Sequence, residues 1–227
     1  DGWSLMTPSS WTLSILGPLL IVCGALAFTG PSVDIAKASS STCHYEYGIW
    51  NTKAKRSLVR KQVVKPRDQL RPDEIDSWGC TPCEEDQVQL TLSNGIPFRA
   101  CKRVADRFFS ALEQALAAGA RIEKVVGYRP SLSRGPIDAN YNRTEFSNHS
   151  FGAAIDINDE HNGLYHDCVV WSESCKLMRG GPWQPKHPLG LTREHPAVIE
   201  MLEHGFKWGG EMMGPQKDMM HFSKSGY

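Results

Sequence analysis

The sequence predicts a domain that mixes helices and strands, entered through an apolar leader and a cysteine-bearing segment. Three observations carry this. Apolar residues recur at helical spacing from Val104 to Leu116, the strand-like run RIEKVVGYRP follows at once, and a second helical signal opens at Pro196 and closes at Gly205. The 227 residues suffice for one good-sized domain plus a small module, and a hydrophobic content of 41% is ordinary for a globular chain. Lys+Arg and Asp+Glu stand at 25 each, so bulk charge gives no reason to expect nucleic acid or an anionic membrane as the main partner. Function must therefore come from a site.

The leader comes first. No charged side chain occurs from Gly2 to Val33, and WTLSILGPLLIVCGALAFTG is apolar almost throughout, which reads as an export signal or a membrane anchor. Its core, Leu13 to Phe28, is long for a signal-peptide core and short for a full span. Ala36 and Ala38 form a small-x-small cleavage pattern ahead of a Ser-rich run, so residues 1–38 are expected to be removed and the mature chain to start near Ser39, in the periplasm or outside the cell. The leader lacks a basic start and opens on Asp1, which suggests that a few leading residues precede this sequence.

Cysteine usage agrees with export. Of seven cysteines, Cys23 lies in the leader; Cys43, Cys80, Cys83, Cys101, Cys168 and Cys175 remain, an even set that implies up to three disulfides. Cys168 and Cys175 flank one short loop and are expected to pair, while the partners of the other four stay open. The CTPC run at Cys80 to Cys83 has two rival readings, a redox pair or half of a structural zinc site with Cys101 and either Cys43 or His44. The lack of a thioredoxin-like pattern and an oxidising compartment weigh against both.

Residues 39–95 are charge-rich and short of long apolar runs, and are expected to form a loop-rich, disulfide-stapled lead-in. Its basic residues Lys53, Lys55, Arg56, Arg60, Lys61, Lys65, Arg67 and Arg71 read as a solvated face in preference to a surface for an anionic wall polymer. Residues 96–227 are expected to form the main domain. There the helix of Val104, Phe108, Leu112 and Ala115 ends before Gly119, a strand through Ile122, Val125 and Val126 closes at Gly127 and Pro130, and Arg129 is left at its end.

The chemistry centres on SNHSFGAAIDIND, Ser147 to Asp159. A carboxylate between Ile155 and Ile157 is expected to be partly buried, and such a charge needs a cation, which an arginine could supply. His149 lies nearby in sequence, Gly152 lets the chain bend between them, and KWGGEMMGPQKDMMHFS adds His221. Ligands His149, Asp156 and His221 would leave a fourth zinc position for water, the layout of a catalytic and not a structural site. His161 and His166 read as loop histidines, His187, His195 and His204 as surface or capping residues, and Trp208 as a packing residue.

SNHSFGAAIDI, WGGEMMGPQKDMMHF and the GYR element ahead of them resemble, in order, the signatures of the zinc peptidases that include D-alanyl-D-alanine carboxypeptidases, vancomycin-resistance dipeptidases and phage L-alanyl-D-glutamate endopeptidases. The resemblance spans roughly 127–222. It implies an α+β fold, a small mainly antiparallel sheet with helices packed on one side and zinc in a groove across it. It further implies Zn2+ held by His149, Asp156 and His221, a general base at Asp218, an oxyanion-binding Arg129 and a substrate hydrogen bond from Ser147. Peptidoglycan stem peptides are the implied substrate. Asp at position 218 and the WGG element look closer to the endopeptidase branch. A non-catalytic zinc-bearing signalling module of the hedgehog type shares this fold and is the alternative; Asp218 and Arg129 favour the enzyme.

Overall fold

A computed structural model describes residues 41–226; the expected leader, with Cys23, lies outside the described residues. The fold is α+β, with mostly antiparallel sheets and two helices. In chain order the strands and helices are β1 (Thr42–Asn51), β2 (Arg56–Pro66), β3 (Gln87–Thr91), β4 (Pro97–Cys101), α1 (Ala105–Ala117), β5 (Val125–Val126), β6 (Ser131–Ile137), β7 (Arg143–Phe146), β8 (Ala154–Ile157), β9 (Leu164–His166), β10 (Lys176–Arg179), α2 (Pro196–Glu203), β11 (Lys207–Trp208), β12 (Gln216–Asp218) and β13 (His221–Ser223). Among the described residues no helix is long and apolar enough to cross a membrane.

The sheet ordered β11-β13-β8-β5 forms the floor of the domain. Strand β8, Ala-Ile-Asp-Ile, is buried along its whole length. Because strand side chains alternate between faces, Ile155 and Ile157 point one way and Asp156 the other. The isoleucines join Phe222, Phe108, Leu112, Val198 and Met201 in one apolar core, with Phe108 stacked on Phe206 at 4.2 Å between ring centres. Helices α1 and α2 supply that core because Ala105, Phe108, Ala111, Leu112 and Ala115 of α1, and Ala197, Val198 and Met201 of α2, fall on buried stripes. Gly119 and Gly205 follow the two helices with φ of 89° and 79°, a conformation that residues with a Cβ rarely adopt. The expected strand after α1 is reduced to Val125 and Val126, paired with Ile157 and Asp156.

The lead-in departs from the loop-rich expectation. Strands β1 and β2 form a long antiparallel hairpin running from Thr42↔Pro66 to Asn51↔Arg56, and β1 also pairs in parallel with β6 through Gly48↔Ser131. The reason is the environment of β2: nearly all of its residues are exposed, so the strand carries none of the apolar alternation that marks a half-buried one. Its lysines and arginines do form a solvated face, and they also guard an open sheet edge against further pairing. On β1, Cys43 and Tyr45 turn inward to a small cluster with Cys83, Tyr47 and Phe146. Buried Glu74 fastens the hairpin further, accepting from the Tyr45 hydroxyl, the Lys65 ammonium and the Arg71 backbone.

Three disulfides staple the chain: Cys43–Cys83, Cys80–Cys101 and Cys168–Cys175. The two cysteines of CTPC therefore pair outward to different partners, which removes both the redox-pair and the structural-zinc readings. His44 instead bonds Glu85. Such a set fits an oxidising, exported environment. Replacing Cys168 and Cys175 together by alanine is expected to cost about 2 to 3 kcal/mol, because a short loop is released in the unfolded chain. Urea titration of the two proteins checks this, and an unchanged midpoint would contradict it.

Candidate metal centre and cleft

The site assembles from two strands and one turn. On the core sheet His221 of β13 lies directly opposite Asp156 of β8, so both side chains leave the sheet on the face away from Ile155 and Phe222. The third member, His149, sits in a 3-10 turn over Asn148–Phe151 that ends on Gly152 at φ 64°. A Cβ at Gly152 would lie 2.1 Å from the Gln87 Oε1 atom and 2.6 Å from the Cys101 nitrogen. Only glycine allows the turn to press against β4 and deliver His149 to the sheet.

His149 Nε2, Asp156 Oδ1 and His221 Nδ1 form a nearly equilateral triangle with sides of 3.0, 3.1 and 3.2 Å. Three ligands of a tetrahedral zinc, each about 2.0 to 2.1 Å from the ion, would lie about 3.3 Å apart. The hydrogens point the same way. His149 Nδ1 is 2.9 Å from the Gly127 carbonyl, which can only accept, so the ring hydrogen lies there and Nε2 offers a lone pair. At most one hydrogen, on His221 Nδ1, is then left for three electron-rich atoms. A divalent cation satisfies all three at once, and these residues fit one.

Electrostatics prepare the ligands. Burial pushes the His149 imidazole down to about 4, against the attraction of Asp156, so it is neutral at neutral pH. Burial alone would raise the Asp156 carboxyl, but His149, His221 and Arg129 hold it well below the usual carboxylate range. Its second oxygen takes Arg129 Nη2 at 2.6 Å, and the Arg129 backbone N–H donates to the His149 carbonyl at 3.0 Å. Arg129 thus sits beside the triangle and orients the carboxylate.

Asp218 ends β12, whose place is fixed by pairing with β9 and by Trp208, whose indole N–H donates to the Met219 carbonyl at 2.8 Å. Gly209 packs against it so closely that a Cβ there would come within 2.4 Å of the Asp218 carbonyl oxygen, which accounts for glycine in the WGG run. Burial pushes the Asp218 carboxyl up to about 7, with Asp156 adding to the rise and His221, Arg129 and Arg179 opposing it. Its Oδ1 is buried without a hydrogen-bond partner among the described residues.

Arg129, Ser147, His149, Asp218 and His221 line a single cleft of ≈ 450 Å³. Ser147 is buried, with its hydroxyl 3.4 Å from that of Ser150. Sequence reasoning missed Trp50 of β1, Arg134 of β6, Arg143 of β7 and Met178 and Arg179 of β10, which line the same cleft. They come from segments far apart in the chain, and no local motif marks them. The remaining histidines stay outside this lining: His161 stacks on His187 at 4.3 Å, His166 meets Asp167 at 2.6 Å, and His195 caps α2 by accepting from the Ala197 N–H. Glu211 pairs with Arg193 at 2.8 Å.

A protein-family model described as D-alanyl-D-alanine carboxypeptidase matches residues 141–224. The matched stretch contains Ser147, His149, Asp156, Asp218 and His221 and begins beyond Arg129. No curated protein and no solved structure matches the chain. The family match and the buried His149, Asp156 and His221 group together are consistent with a metallopeptidase.

Proposed function

We propose that the protein is a zinc-dependent peptidase that hydrolyses peptide bonds in peptidoglycan stem peptides outside the cytoplasm, with or without its N-terminal segment as a membrane anchor. The observation that carries this reading is the donor triangle opening onto the same cleft as a half-buried carboxylate of raised pKa and an arginine. His149, Asp156 and His221 would hold the metal. Zinc bound there supplies Lewis acidity and lowers the pKa of its water toward about 7.

The chain's own groups do the rest. A carboxyl near neutrality at Asp218 is matched to taking a proton during attack and returning it to the leaving amine, so one group serves both steps. Arg129 fixes Asp156 through one nitrogen and presents its remaining donors to the cleft, where a developing oxyanion would be neutralised. Ser147 lines the cleft as a hydrogen-bonding group for the substrate. Asp at position 218 and the WGG element support the L-alanyl-D-glutamate endopeptidase form over the D-alanyl-D-alanine carboxypeptidase form. Digestion of purified muropeptides by zinc-loaded protein, with products identified by mass spectrometry, tests the proposal and names the bond. Intact muropeptides after prolonged incubation with fully loaded protein would overturn it.

A further inference from the structure

Strand β10 leaves regular pairing between Leu177 and Arg179. In an unbroken strand successive side chains face opposite ways; an irregularity re-aims them, and here Met178 and Arg179 both line the cleft. The Arg179 guanidinium lies 5.9 Å from the ring centre of Trp50, which reaches the cleft from β1 on the other side of the chain's sequence. A cation stacked on an indole is held in place while its in-plane donors stay available.

The neighbouring cations are already engaged. Arg129 gives one nitrogen to Asp156 and keeps its others for the developing oxyanion, and Arg143 donates to the Gly135 carbonyl. Arg179, by contrast, forms no ion pair among the described residues. Desolvation, and next the Arg129 charge, hold its guanidinium below the usual arginine range, with Asp156, Asp218 and Asp159 acting in the other direction. Asp156 is taken up by two imidazoles and Arg129. A charged fork exposed on the wall of a cleft, within the field of another guanidinium, is the arrangement that a ligand carboxylate completes.

Resting on the peptidase reading, we propose that Arg179, braced by Trp50, binds a free carboxylate of the peptide and so selects anionic substrates over amidated ones. A C-terminal carboxylate and a side-chain carboxylate next to the scissile bond present the same two oxygens, and the experiment separates them.

Zinc-loaded Asp218→Asn protein is titrated calorimetrically with one stem-type peptide in three forms: both carboxylates free, C-terminus amidated, or side chain amidated. One of the two amidations is expected to weaken binding roughly 10- to 100-fold, the scale of a charge-assisted hydrogen bond. Adding Arg179→Gln should weaken the unamidated peptide by a similar factor and remove that amidation penalty, while Arg179→Lys, which keeps the charge and loses the fork, should recover part of it. In the otherwise unaltered enzyme, Arg179→Gln should raise KM for the acidic peptide more than it lowers kcat. An amidation penalty that survives Arg179→Gln, or equal weakening of all three peptides, would overturn the proposal. Arg179-dependent binding without cleavage by the unaltered protein would sink the peptidase reading and leave the carboxylate site standing; cleavage indifferent to Arg179 would do the reverse.

Discussion

His221→Ala is expected to lose zinc and hydrolysis together. His221 supplies one corner of the donor triangle, and Asp156 and His149 alone leave the ion two protein ligands. Loss of groups that merely orient ligands commonly costs 10- to 100-fold in metal affinity, so loss of a ligand itself should exceed about 100-fold. Because binding energy for a metal is also folding energy, the rise in Tm that zinc gives the parent protein should disappear in the variant. Elemental analysis, muropeptide hydrolysis and melting with and without zinc read the three effects. One zinc per chain with an unchanged rate would place the metal elsewhere.

Asp218→Asn should separate what His221→Ala joins. Asp218 lies outside the triangle, so the variant should keep close to one zinc per chain while turnover falls roughly 10²- to 10⁴-fold, the usual contribution of a positioned general base. The metal-free proteins should differ in their response to pH. Asp218 titrates near 3.9 when unfolded and at about 7 when folded. Between those values the folded chain keeps a proton that the unfolded chain has released, so this group's contribution to stability declines as pH rises from about 4 to about 7. Asparagine has no proton to lose. Metal-free Asp218→Asn should therefore gain on its parent across that window, by on the order of a few kcal/mol at its upper end. Urea titrations of both proteins at pH 4, 5.5 and 7 measure the gap; a gap that shrinks with rising pH would contradict the assignment.

Much of the site was legible because its residues lie in short linear stretches. A carboxylate between isoleucines, a histidine ahead of a glycine turn and a histidine before a core phenylalanine each carry their own context, and the structure brings His149, Asp156 and His221 together. Helices α1 and α2 were legible for the same reason, since each buries one stripe and ends near a glycine. The hairpin was not. Strand β2 is solvated on both faces and so lacks a periodic signal, and β1 is held to the domain through β6, from a distant part of the chain. The cleft wall escaped for a related reason: Trp50, Arg143 and Arg179 meet only through tertiary pairing, and Arg179 reaches the cleft at a register irregularity that composition does not reveal.

The cross-strand pairing of His221 with Asp156 means that a metal bound there would act as a proofreader of assembly. Slipping β13 by one residue along β8 would turn its side chains over, setting Phe222 opposite Asp156 and driving the imidazole into the apolar layer. A chain caught in that arrangement has no triangle to offer. During maturation, capture of zinc would then draw the population toward the one alignment that can hold it, and chains that refuse the ion would be the misaligned ones.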